Sequence, residues 1–387
     1  MKNRTLLMIP GPIEFEPAVL SALGAPTTSH TASNFIEAFG QALERLRQVL
    51  LSEDGQPFVL AGSGTLAMDA VGANLIEPGD RALVINTGYF GDRYTALLTR
   101  YGAQVTQLAA PVGGRPSLDE IEDALKRAAY KLVTLTHVDT STGVITDVRG
   151  VADLAKRYGA LSVVDGVCSV AGEELRMSAW GVDVVLTASQ KAVGVPPGLA
   201  LFVVSPRTLQ VFKNRKTPVG NYYTDWTHWL PIMQAYEARK SSYFATPAVN
   251  LIWALNVSLG QILEEGLQTR FERHRALSAA CKAGAAALGL SQVPQKPEWA
   301  ANTMTALRYP AGVDGGEFLM RAAKAGVYLA GGLHPAIKNE YFRIGHMGAT
   351  KIGDVLATIG AVEVALVQSD YRIELGSGVS AAQKAFL

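Results

Sequence analysis

Two cysteines, Cys168 and Cys281, are all that 387 residues contain, which excludes a disulfide framework and a cysteine zinc cluster. The six histidines fall at no paired ligand spacing, so no metal site is expected. An excess of one charge sign is also missing. Lys and Arg number 35 against 34 Asp and Glu, for a net charge of +1 with both signs interspersed, and that leaves no electrostatic footprint for nucleic acid or an anionic membrane. The apolar run in MKNRTLLMIPGP is cut by Pro10, far short of a signal-peptide core or a membrane span. The final Ala385-Phe386-Leu387 is not the peroxisomal SKL signal, so the cytosol is the expected compartment. Charged residues make up only 18%, against a usual ~25%. With 48% apolar residues, this implies a large buried interior and a subunit interface, around a small-molecule site. The length corresponds to about two or three domains.

What is present is an alternation. Phe35, Phe39, Leu43, Leu46 and Leu50 recur at helical spacing, with Glu44, Arg45 and Arg47 on the wet face. A short strand, Phe58 to Ala61, runs into Gly62-Ser63-Gly64-Thr65 and a helix through Ile76. Glycines at a strand-to-helix turn expose amides at the positive end of a helix dipole, a cradle for phosphate that the hydroxyls of Ser63 and Thr65 would complete. Steric demands of the turn explain the same residues, and GSGT is neither a P-loop nor a full dinucleotide fingerprint. Strands are expected from Ala82 to Asn86, near Gln104, from Lys131 to Val138 and from Ala160 to Asp165, with helices from about Asp92 and from Ser117. Several end in polar or aromatic clusters, Gly88-Tyr89-Phe90 and Asp139-Thr140-Ser141-Thr142 among them. An aromatic ring at such an end would serve to stack on a heteroaromatic ligand or to pack the core. The alternation runs through Ser205 and predicts a mostly parallel sheet covered on both faces.

The stretch Val182 to Gly198, VDVVLTASQKAVGVPPG, reads as a strand that passes into a loop bearing Lys191. In open parallel sheets the carboxyl ends of strands face the ligand crevice, so Lys191 and Asp165 would converge there. By themselves they are as well explained by a solvated lysine and a turn-forming aspartate. If both are desolvated, each requires a partner, and pyridoxal phosphate supplies one for each: an aldehyde for the lysine and a ring nitrogen for the carboxylate. At an effective dielectric near 20 and about 4 Å, that carboxylate–pyridinium pair contributes about 4 kcal/mol. This equals about three pK units in favour of a protonated ring.

After Lys216 the chain becomes aromatic and irregular, with Tyr222, Tyr223, Trp226, Trp229, Tyr236, Tyr243 and Phe244. The segment is expected to be a long loop at an interface or a site rim. One long helix is expected from Ala248 to about Leu277, with Glu264, Glu265, Arg270 and Arg273 on its wet side. A smaller region follows, built from strands Thr303 to Arg308, Val327 to Ala330 and Tyr341 to Gly345, a helix from Gly316 to Ala325 and a closing helix from Lys351 to Leu366. Arg343 stands in an apolar strand, where a structural salt bridge or a bound carboxylate would account for it.

In order and spacing, PGP at 10–12, GSGT at 62–65, GYFGDR at 88–93, THVDTSTG at 136–143, VVDGVCS at 163–169, TASQKA at 187–192, YFATP at 243–247 and YFRIGHMG at 341–348 resemble the class V aminotransferases. These are pyridoxal phosphate enzymes of fold type I, and the similarity is to the alanine–glyoxylate and serine–pyruvate branch. It implies an α/β fold, with a large domain around a mostly parallel seven-stranded sheet and a smaller α+β carboxyl-terminal domain. The expected division is an arm over 1–20, the large domain over 21–265 and the small one over 266–387. The resemblance assigns Lys191 as the lysine that joins the cofactor and Asp165 as the ring-nitrogen partner. Phe90 would stack on the ring and Thr140 would contact its phenolic oxygen. Ser63, Gly64, Thr65 and Gln190 would hold the phosphate, with Tyr243 and Thr246 from the other subunit of a homodimer. Arg343, Gly11 and Thr140 would bind substrate. Animal peroxisomal members carry tryptophan and histidine where this chain has Phe90 and Thr65; both replacements retain stacking and phosphate hydrogen bonding.

The expected reaction is ping-pong transfer of an amino group from L-alanine or L-serine to glyoxylate or pyruvate. Alternatives in the same fold are a 2-aminoethylphosphonate or pyridoxamine–pyruvate aminotransferase. A cysteine desulfurase is disfavoured because neither cysteine is placed on a mobile loop. Other classes are a nucleotide-dependent α/β enzyme and a non-catalytic scaffold.

Overall fold

The protein is described by a computed structural model covering residues 5–387, so the first four residues of the expected arm lie outside the described residues. Its centre is a seven-stranded sheet in the spatial order Gln56–Ala61, Leu199–Val204, Val184–Ala188, Leu161–Asp165, Leu132–Thr136, Arg81–Asn86, Gln104–Ala109. Leu199–Val204 runs antiparallel to both neighbours; the other pairings are parallel. Four central strands are buried at every residue, which is why they read as unbroken apolar runs. The edge strand Gln104–Ala109 is largely exposed and carries the polar residues that an edge tolerates. After Gln104–Ala109 the chain crosses to the other side of Arg81–Asn86. The crevice at that reversal is where open α/β sheets bind ligands.

A second, smaller core gathers Leu277, Cys281, Phe318, Phe342, Ile344, Ile359 and Val362 around a three-stranded antiparallel sheet of Met304–Arg308, Tyr341–Gly345 and Ala330–Gly331. Met8 is buried in the same core, because Leu6–Leu7 pairs in parallel with Val327–Tyr328. The chain then turns through Pro10 and Gly11 toward the large sheet. Among the described residues no helix is long and apolar enough to cross a membrane.

Four expectations need correction. The aromatic stretch after Lys216 contains a helix, Trp226–Glu237, and Trp226, Trp229 and Tyr236 are core. Apolar residues on every side of it, with Pro231 inside, obscure the helical period. The single helix expected from Ala248 is two, Val249–Glu265 and Leu267–Ala287, broken where Gly266 takes φ +82. Ile352–Gln368 does not close the chain, since Ser377–Phe386 follows and packs against both Leu267–Ala287 and Ile352–Gln368. Finally, Glu44, Arg45 and Arg47 are not simply a wet face. Arg45 donates to the backbone and side-chain oxygens of Asn256 at 2.7 Å, Arg47 pairs with Glu237, and Glu44 pairs with Arg239 at 2.9 Å. These links fasten Ser33–Val49 to two later helices.

Candidate active site

Adjacent strands Leu161–Asp165 and Val184–Ala188 end on the same rim and bring Asp165 and Lys191 together. Asp165 is 2% exposed, and its Oδ1 accepts the Val167 amide at 3.0 Å. Burial pushes its carboxyl up to about 6, with Asp139 adding repulsion, while the Val167 amide, Arg93 and Lys191 pull the other way. Lys191 is 8% exposed. Its Nζ donates to the Pro10 carbonyl and forms no ion pair among the described residues. Burial lowers its pKa, helped by the Arg343 charge and opposed by Cys168 and Asp165. Loss of the proton leaves a nucleophilic amine.

The facing wall begins at Ser63, the extended cap residue of helix Gly64–Leu75, whose side chain makes no capping bond. The first amides of that helix therefore lack intrahelical acceptors and point out of its positive end. Gly64 permits the close approach: a Cβ there would stand 2.7 Å from Val167 Cγ2. Gln190 keeps Oε1 buried without a partner. These residues, with Gly11, Thr65, Met68, Phe90, Arg93 and Val167, line a cleft of about 210 Å³ that contains Asp165 and Lys191. Gly11 has φ +110, and a Cβ on it would meet Lys191 Cδ at 2.5 Å. A larger cavity of 470 Å³ lies at Glu265, Arg270 and Arg273. The charges there are paired with each other, and none of the strand-end residues line it.

On the neighbouring strand end, Asp139 is fully buried. It accepts from the Ser141 amide at 2.8 Å, the Ser141 hydroxyl at 2.6 Å and the Phe90 amide at 3.3 Å; burial still raises its pKa. Arg343 donates through Nη1 to the Thr140 carbonyl at 3.1 Å and through Nε to Gly331 at 2.8 Å. It has no carboxylate partner among the described residues, and burial lowers its pKa. The two bonds lock the guanidinium plane and leave Nη2 free to take an anion.

Of the residues singled out in the sequence, Gly11, Ser63, Gly64, Thr65, Phe90, Asp165, Gln190 and Lys191 share the cleft. Thr140 and Arg343 meet one another beside it. Tyr243 is 64% exposed and lies against His30, ring centroids 5.5 Å apart; neither it nor Thr246 lines the cleft of this chain. Sequence reasoning passed over Arg93, Met68 and Val167. For Arg93 a signal existed: it follows Phe90 by three residues in GYFGDR, which on a helix is the same face. Cys168 is buried, and burial pushes its thiol up, the opposite of what a nucleophilic sulfur needs.

Comparison with known proteins is consistent across sequence and fold. The family model described as class V aminotransferase matches residues 19–352. Alanine–glyoxylate aminotransferase 1 of Saccharomyces cerevisiae is 41% identical over 362 residues, covering 90% of this chain and 93% of the yeast protein. Serine–glyoxylate aminotransferase of Arabidopsis thaliana is 31% identical over 387 residues, covering 98% of this chain and 94% of the plant protein. Among solved structures, alanine–glyoxylate aminotransferase from Nostoc sp. superposes with a TM-score of 0.89 at 32% identity, covering 95% of this chain and 96% of that one.

Proposed function

Since the chain belongs to the class V aminotransferases, we propose that it moves the amino group of L-alanine or L-serine to glyoxylate or pyruvate, using pyridoxal 5′-phosphate. The observation that carries this reading is a buried lysine without an ion pair among the described residues, set beside a buried carboxylate in a cleft walled by an uncapped helix start. The residues fit such a cofactor. Phosphate suits the free amides after Ser63 and the hydroxyls of Ser63 and Thr65, and turning the Gln190 amide would present its donors to the same anion. Phe90 offers a ring face. Tyr243 and Thr246 belong to the proposal as contributions from a second subunit. Their exposure, and that of Tyr222 at 74%, supports a homodimer. The two unpaired, buried cysteines support a cytosolic setting.

When bound, the cofactor supplies an electron sink that acidifies the substrate's Cα–H bond. The protein's own groups do the rest. Lys191, whose burial disfavours the protonated amine, takes the proton from Cα and returns one on the opposite half-reaction. Asp165 holds the proton of the ring nitrogen; a carboxylate otherwise stranded in a dry site gains a cationic partner there. Arg343 takes the substrate carboxylate on its free nitrogen and orients Cα toward Lys191. Gly11 closes over the lysine and keeps water away, and the small cleft favours short side chains such as those of alanine and serine. Dedication to small donors and glyoxylate is supported by the activities in the names of the relatives above. A cleft built around a lysine leaves no purpose for a nucleotide reading of GSGT.

The test is the visible absorption of the purified protein, with L-alanine and then glyoxylate added. A yellow colour that L-alanine bleaches and glyoxylate restores is expected. A protein that stays colourless after incubation with pyridoxal 5′-phosphate overturns the proposal. A donor panel with L-serine and pyridoxamine separates the related activities.

A further inference from the structure

Resting on the pyridoxal phosphate reading of the cleft, we propose that Arg93 is a positioning residue that works through Thr65 and Phe90. It draws on the Thr65 oxygen so that the hydroxyl proton turns toward an anion at the helix start, and it braces the Phe90 ring.

Arg93 opens the second turn of helix Tyr89–Arg100, one turn beyond Phe90, so its side chain folds back over the first turn. Its Cζ stands 4.9 Å from the Phe90 ring centroid and 5.2 Å from that of Tyr89, within cation–π range. The two rings meet edge to face, 5.4 Å apart at 89°, so the guanidinium braces a ring pair. From there Nη1 donates to Thr65 Oγ1 at 2.6 Å. Arg93 forms no ion pair among the described residues. The neighbouring carboxylate, Asp92, is occupied by Asn86 at 2.7 Å and Gln107 at 2.9 Å.

A threonine hydroxyl has one proton to give and two lone pairs to receive. With Arg93 occupying a lone pair, the proton must point elsewhere, and a cation at the oxygen strengthens the donation. Thr65 lies in the first turn of Gly64–Leu75, beside the free amides, so the direction left to that proton includes the cradle. The reach of the arginine extends to Asp165, whose carboxylate it stabilises against the cost of burial. One cation thus addresses the phosphate end, the ring face and the ring-nitrogen end of the cleft. A purely structural Arg93 would tie two helices together and nothing more.

The test is a double-mutant cycle on R93Q and T65A. Cofactor-free protein is titrated with pyridoxal 5′-phosphate and the dissociation constant is read from tryptophan fluorescence. Each single change is expected to weaken binding about tenfold, and the double change by far less than the hundredfold that independent residues would give. Inorganic phosphate, as competitor, is expected to lose potency in R93Q to a similar degree. Should R93Q fail to fold, R93K replaces it in the cycle, since lysine keeps the charge without the planar fork. Additive losses, or an R93Q that binds as the wild type does, overturn the proposal. A wild-type protein that does not bind pyridoxal 5′-phosphate overturns the cofactor reading instead.

Discussion

Arg270 and Lys191 are equally withdrawn from water, 7% and 8% exposed, yet their surroundings differ in kind. Arg270 pairs with Glu265 at 2.6 Å and donates to the carbonyls of Ala171 at 2.7 Å and Ala192 at 2.8 Å. Glu265 also takes Arg273 at 2.6 Å, and Arg273 reaches the carbonyls of Gly348 and Thr350 at 3.1 Å. Every charge there has partners, and the cluster clamps the loop after Lys191 to the smaller core. Lys191 has one carbonyl and, among the described residues, no ion-pair partner. Complete satisfaction makes a buried charge a fastener, and incomplete satisfaction makes it a reagent. The same contrast sets Glu173, which accepts from Asn302 Nδ2 at 2.9 Å and the Thr303 amide at 3.0 Å, against Asp165 with its single amide.

The contrast can be broken at either end. Lys191→Ala should lower turnover by at least about 10⁴-fold without lowering the midpoint of thermal unfolding, because an unpaired buried amine is removed. Turnover within tenfold of the wild type would contradict it. Glu265→Gln should have the opposite character. It leaves Arg270 without its counter-charge and should cost about 3 kcal/mol of stability in urea, while the folded fraction keeps its choice of substrates. A loss below about 1 kcal/mol would show that the cluster is not a fastener.

Asp165→Asn refines the comparison through pH. Because burial raises this carboxyl from 3.8 to about 6, the folded state binds its proton more tightly than the unfolded chain does. The penalty for ionising it is absent below about pH 4 and grows as the pH rises to about 6. Cofactor-free Asp165→Asn should therefore exceed the wild type in stability at pH 7.5, by about 3 kcal/mol at most, and the gap should close between pH 6 and 4. Melting curves across that range that show a constant gap would refute the assignment. The smallest effect expected is at the helix break beside the Arg270 cluster. Gly266→Ala places a side chain at φ +82 and should cost about 1–2 kcal/mol, measured by urea unfolding.

Most of the architecture was legible because burial writes itself into composition: strands covered on both faces must be apolar, and their polar ends stand out. Tyr341–Gly345 matched to the residue. The cleft was legible to the extent that it is built from strand ends and one helix start. What could not be read were pairings across long stretches of chain. Arg45 with Asn256, Arg270 with Ala171, and Arg93 with Thr65 each look like a solvated arginine until the fold brings a partner. Trp226–Glu237 hid for another reason, since a helix buried on most sides loses the periodicity that announces it.

The parallel pairing of Leu6–Leu7 with Val327–Tyr328 has a consequence for the order in which this molecule comes into being. On a ribosome the strand ending in Asp165 and the loop bearing Lys191 emerge long before Val327, and until then the opening residues have no strand to join. Without that anchorage, Pro10 has nothing to hold its carbonyl against the lysine, and Arg343 does not yet exist. A nascent or prematurely terminated chain would carry its lysine wetted and protonated. The enclosure of Lys191 is thus completed only when the last part of the smaller core has been made.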